Sequence, residues 1–153
     1  MTSAIQPYAP RAIAKLASLQ FGGWALKRYS IRYGDLPFDE SRFGEGRAMA
    51  LAALPQTATA PGRTGVGFLI EHQGNGVDYV VLGWWDRQNE LPLRVFVHGA
   101  GQQWRPAQGA ESICVWDLQV LWAERQAYVA TVMKGAPPEA YSNHDTLALI
   151  SAA

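Results

Sequence analysis

Cysteine is almost absent from the 153 residues; Cys114 stands alone, so no disulfide can close within the chain. So sparse a use of thiols fits a reducing compartment, and a cytoplasmic location is expected. Charge of either sign is not in excess: 13 lysines and arginines face 13 acidic residues, for a formal net charge of zero. No basic run occurs, which argues against a nucleic-acid footprint and against a polybasic membrane patch. No apolar stretch approaches the ~20 residues that a membrane-spanning helix requires. The start, Met1-Thr2-Ser3-Ala4-Ile5-Gln6-Pro7, lacks the basic and apolar regions of a secretory leader, so none is expected. Neither His-x-x-x-His nor Cys-x-x-Cys spacing occurs, and there is no Gly-x-Ser-x-Gly elbow. Neither a metal nor a cofactor is expected.

What the chain does contain is a hairpin signal at its centre. The run from Val66 to His72 is followed by Gly74-Asn75-Gly76 and then by the run from Val77 to Trp85. Asn-Gly between β-branched and aromatic runs is a strong two-residue turn signal, because a type I′ turn needs positive φ. With Asn75 and Gly76 in the turn, His72 pairs with Tyr79, Ile70 with Val81 and Phe68 with Gly83. On the other face Gly67 lies opposite Trp84, so each glycine meets a bulky ring. A second, four-residue turn over 87–90 predicts that Trp84 pairs with Leu93, Leu82 with Val95 and Val80 with Val97.

These two turns sort the side chains onto faces. One face collects Leu69, Val80, Leu82, Trp84, Leu93, Val95 and Val97 and reads as core. The other collects His72, Tyr79, Trp85, Arg94, Phe96 and His98 among apolar neighbours. A one-residue slip in either turn exchanges the faces.

The rest of the chain reads more coarsely. Residues 1–10 predict a flexible arm, and 11–19, with Ile13, Leu16 and Leu19, a short helix or turn. A first strand is expected over 22–33. A helix over 47–54, with Asp39 or Ser41 near its start, stops at Pro55. Gly44-Glu45-Gly46-Arg47 could cradle an anion at a helix start, but it lacks the preceding strand of a dinucleotide fingerprint. Trp104, in the long connection after His98, could lie over a sheet face as a lid. Cys114, Trp116, Leu118, Val120 and Trp122 alternate with polar residues, which predicts a strand over 113–120. A helix over 122–134 and a loop over 138–145 follow, then a short apolar tail.

A single α+β domain over 1–153 results, an antiparallel sheet of about five strands with helices on one face. A small, partly open β-barrel is the alternative. Gly22-Gly23-Trp24 resembles the short Gly-x-Trp opening of lipocalin-type barrels, and that resemblance, three residues long, implies the barrel.

For function the mixed face carries the argument. His72, Tyr79, Trp85, Arg94, Phe96 and His98 would bind a small anionic or aromatic molecule, with Arg94 holding a carboxylate and the rings as walls. His72 or His98 could act as a general base, which leaves catalysis undecided. A plainer account makes the histidines wet strand ends and Arg94 a cover for apolar surface. The same face could instead form a homodimer. Cys114 reads as an inert core thiol, Asp117 and Glu124 as helix-start partners of Arg125, and His144-Asp145 as a turn.

Overall fold

A computed structural model describes residues 11–33, 35–55, 65–85, 92–109 and 118–152. Six strands form one sheet in chain order: β1 (Arg11–Phe21), β2 (Trp24–Tyr33), β3 (Gly65–Gln73), β4 (Val77–Trp84), β5 (Leu93–Gly99) and the two-residue β6 (Arg105–Pro106). Neighbours are antiparallel except β2 and β3, which are parallel. A parallel pair needs a crossover. A 3-10 turn, Glu40–Phe43, supplies it by running directly into helix α1 (Gly44–Ala52). Among the described residues, three helices follow: α2 (Leu118–Thr131), α3 (Pro138–Ser142) and α4 (Thr146–Ala152). The sheet is open, with β1 and β6 at its ends, so the fold is α+β and not a barrel.

Both sides of the sheet are covered. Trp24, Leu26, Leu69, Val80, Leu82, Trp84 and Phe96 pack under Phe43, Ala50 and Leu54 of the α1 region, with Trp104 laid over them. The alternate positions Tyr29, Ile31, Phe68, Ile70, Val81 and Val95 pack against Val120, Ala123 and Ile150. Val66, Trp85, Ala127, Tyr128 and Tyr141 extend that second layer. Strands β2, β3 and β4 are therefore nearly continuous runs of buried residues, as in sheets sandwiched between helices.

The β3–β4 register is the one the Asn-Gly turn predicts: His72 faces Tyr79, Ile70 faces Val81, Phe68 faces Gly83 and Gly67 faces Trp84. Gly76 takes φ +94 in the turn. A Cβ at Gly83 would run into the Phe68 ring, so the bare backbone there is a seat for that ring.

The β4–β5 register corrects the expectation by one residue. Gly83 pairs with Leu93, Leu82 with Arg94, Val81 with Val95, Val80 with Phe96 and Asp78 with His98. The Trp84 amide donates to the Pro92 carbonyl at 3.3 Å, so the ladder closes earlier than a turn over 87–90 implies. Residues 87–90 themselves lie outside the described residues. The slip moves Phe96 into the core beneath α1 and Val95 into the layer beneath α2, which buries both.

Local periodicity misleads in two further places. Residues 11–19, expected as a helix or turn, belong to β1. A bulge between Leu16 and Leu19 interrupts its pairing with β2. The extra residue sends Ile13 to the α2 layer and Leu19 to the α1 layer, leaving a spacing of three that imitates a helix. Conversely, Leu118–Val120, expected as the end of a strand, begin α2. Val120, Ala123 and Ala127 recur at helical spacing and are buried, whereas Trp122 is 57% exposed. Residues 113–117, with Cys114, Trp116 and Asp117, lie outside the described residues, as does the expected arm over 1–10. The expected loop over 138–145 contains α3, and the apolar tail is the docked helix α4.

Candidate functional site

The six residues expected to share one face are divided between two. His72, Tyr79 and Trp85 lie on the α2 side; Arg94, Phe96 and His98 lie on the α1 side, because of the one-residue shift in β5. His72 and His98 therefore cannot act on one substrate from one face.

On the α2 side, His72 is buried and its Nε2 lies 3.1 Å from the Tyr33 hydroxyl. Tyr33 and Tyr79 meet its ring edge-on at 5.2 and 6.0 Å. Trp85 stands at the far end of the strand, stacked on Tyr128 at 4.2 Å. Six residues of extended chain separate it from Tyr79, roughly 20 Å.

Between them lies a charged centre that strand alternation alone did not single out. Lys27 and Glu124 are both fully buried and 3.4 Å apart. Lys27 Nζ also donates to Thr146 Oγ1 at 2.5 Å and sits 3.7 Å above the Tyr141 ring. Tyr29 and Tyr141 donate their hydroxyls to the two Glu124 oxygens, at 3.0 and 2.8 Å. Glu124 thus pairs with a strand lysine across the layers, not with Arg125 at a helix start. Burial pulls the Lys27 ammonium down to about 8, against the opposing pull of Glu124. Burial first, then the Glu124 charge, pushes both tyrosine hydroxyls up. The signal in the sequence was Lys27 and Tyr29 sharing one side of β2; nothing local indicated which helix would supply the carboxylate.

On the α1 side a second charged centre occupies the end of the sheet near the Asn-Gly turn. Glu71, fully buried, accepts from Arg28 Nε and Nη2 at 3.3 and 3.0 Å and from Arg47 Nε and Nη2 at 2.6 and 2.9 Å. Arg28 also reaches Glu40 at 3.0 Å. The contact with Glu71 raises the Arg47 guanidinium above its ordinary value. Beside this centre, Arg42 grips both oxygens of Asp78, and His98 Nδ1 lies 3.8 Å from the same carboxylate. His98 stacks on Trp104 at 5.2 Å.

Trp104 is the lid anticipated over a sheet face, and Gly46 explains how it fits. A Cβ at Gly46 would come within 2.7 Å of the indole. The Gly44-x-Gly46-Arg47 stretch therefore seats a ring and directs Arg47 onto Glu71, and its helix start is already continued by the 3-10 turn. Asp39 caps that turn, accepting from the Ser41 amide at 3.1 Å. His144-Asp145 is a turn, with Asp145 accepting from the Ala148 amide at 3.2 Å.

Arg94 and Phe96 remain together, at a groove. The flank of β5 opens there into a concavity of about 480 Å³ lined by Leu93, Arg94, Val95 and Phe96 on one side and Pro106 and Ala107 on the other, with Ala53 also contributing. Arg94 is exposed; its Nη1 donates to the Leu93 carbonyl at 2.9 Å and its guanidinium lies 5.3 Å from the centre of the Trp84 ring. Among the described residues no carboxylate pairs with it. Nor, among those residues, does any group of three His, Cys, Asp or Glu side chains converge to hold a metal ion. No described helix is long and apolar enough to cross a membrane. No family model, no curated protein and no solved structure matches this chain.

Proposed function

We propose that the chain binds a small anionic molecule with an apolar body in the groove along β5, with Arg94 as charge partner and Phe96 in the wall. The observation that carries this reading is a concave, apolar-lined surface holding one exposed guanidinium without a carboxylate partner among the described residues. Ligand sites are commonly concave and mostly apolar, with a few polar groups fixing orientation. The buried charged centres support it by contrast: their cations already have anionic partners within the fold. In this reading His72, Tyr79, Trp85 and His98 brace the sheet and its covering helices.

An anionic dye such as 1-anilinonaphthalene-8-sulfonate, titrated while amide resonances are followed, tests it. Shifts should centre on 93–96 and 106–107. Arg94→Gln should weaken binding roughly tenfold, the scale of one charge-assisted hydrogen-bonded pair, with the melting temperature unchanged. Shifts centred on His72 and Tyr79 would place the site elsewhere.

One observation favours a second reading, self-association. Trp122, Val129 and Met133, along α2 and just past it, are 57, 36 and 53% exposed. Exposed apolar stripes often mark association surfaces. Sedimentation decides: a monomer at micromolar concentration, unchanged by Trp122→Asp, contradicts the homodimer.

A further inference from the structure

Resting on the groove reading, we infer that the occupant is an aliphatic monocarboxylate: one planar anionic head and a body that makes no hydrogen bonds. The polar inventory of the groove sets this. Among the described residues, Arg94 supplies the only polar side chain of its lining. Three carbonyls in and beside it are already engaged: that of Val95 accepts from the Ala107 amide at 2.9 Å, that of Pro92 from the Trp84 amide at 3.3 Å, and that of Leu93 from Arg94. Pro106 has no N–H to offer. A hydroxyl, amide or second charge on the body of a ligand would lose water and meet no second polar side chain among the described lining residues, at roughly tenfold or more in affinity for each such group.

The head group follows from how Arg94 is held. Its Nη1 is tied to the Leu93 carbonyl and its guanidinium lies by Trp84. The fork is thereby oriented, leaving the Nε–Nη2 edge to engage two oxygens side by side. Planar carboxylates match that edge with two parallel hydrogen bonds. The tail follows from Leu93, Val95, Pro106, Ala107 and Ala53, aliphatic walls with one ring, Phe96, set among them.

Octanoate, octanol and octanedioate, titrated into the protein and into Arg94→Gln by calorimetry with amide shifts as the locator, test this class. Octanoate should bind at least roughly tenfold more tightly than either of the others. Arg94→Gln should reduce octanoate to the affinity of octanol and leave octanol unchanged. If Arg94→Gln fails to fold, Arg94→Lys, which keeps the charge and loses the fork, should fall between. Octanedioate or octanol binding as tightly as octanoate, with shifts at 93–96, overturns the monocarboxylate class and leaves the groove standing. Absence of any shift at 93–96 with all three ligands overturns the groove itself.

Discussion

The two faces of the sheet bury charge in opposite ways. Beneath α1, Arg28 and Arg47 converge on Glu71, and the cluster opens to water through Glu40, whose side chain is 62% exposed. Beneath α2, Lys27 and Glu124 have no exposed surface and are closed in by tyrosines from β2 and α3 and a threonine from α4. The difference follows from the cations. Arginine offers a rigid fork that satisfies a carboxylate with parallel bonds; lysine is a compact point charge that accepts partners from several directions and loses its proton more readily when buried. The open centre joins the crossover to the sheet, whereas the sealed one ties three helices to a single strand.

That contrast can be broken most forcefully on the sealed side. Lys27→Met removes the charge partner of Glu124 together with the hydrogen-bond donor that even a neutral amine would keep, and should cost about 3–5 kcal/mol in denaturant unfolding. Adding Glu124→Gln removes the charge while keeping an acceptor for a tyrosine, and should recover at least half of that loss. On the open side the same kind of break is softer. Glu71→Gln leaves two guanidiniums, but Arg47 is partly solvated and Glu40 remains, so a loss of about 2–3 kcal/mol is expected. Equal losses on both sides would show that sealing is not what distinguishes them.

Titration sharpens the comparison further. A lysine drawn down to about 8 holds its proton less tightly folded than unfolded, where its value is 10.5. The folded state therefore gains stability as that proton leaves, by about 2 kcal/mol between pH 8 and pH 10. Above pH 10 the trend reverses, because Tyr29 and Tyr141 keep their protons when folded and lose them when unfolded. Urea midpoints between pH 7.5 and 11 should rise and then fall. Lys27→Met/Glu124→Gln should lose the rise, whereas Glu71→Gln should retain it.

The smallest expected effect lies at the lid. Gly46→Ala places a methyl group within 2.7 Å of the Trp104 ring and should displace it, costing about 1–2 kcal/mol and shifting tryptophan emission to longer wavelength. Unchanged emission would mean that α1, and not the ring, gives way.

How much could be read from the sequence depended on the range of the interaction. The β3–β4 pairing was legible because a two-residue turn and two glycine–ring contacts agree on one register. The β5 register was not, since no comparable turn signal joins it to β4, and one residue of slip carried Arg94, Phe96 and His98 to the other face. Of the proposed site, Arg94 and Phe96 survive together because they are two apart on one strand and keep a common side in any register. Their former partners depended on the slip. The helical spacing in β1 came from a bulge, and the alternation leading into α2 came from bulky residues of which one, Trp122, faces water.

By itself the sequence determined the element types wherever period and turn chemistry coincide: the central hairpin, the strand from Trp24, the helix before Pro55 and the α+β class. Tertiary structure alone decided how the N-terminal strands join the hairpin, through the parallel β2–β3 pairing, and the union of Lys27 with Glu124. The physical reason is that hydrogen-bond period and φ preference act over a few residues and are written locally. The cost of burying a charge is met by whichever partner the assembled fold brings within reach, 97 residues along the chain in the case of Lys27 and Glu124 (124 minus 27).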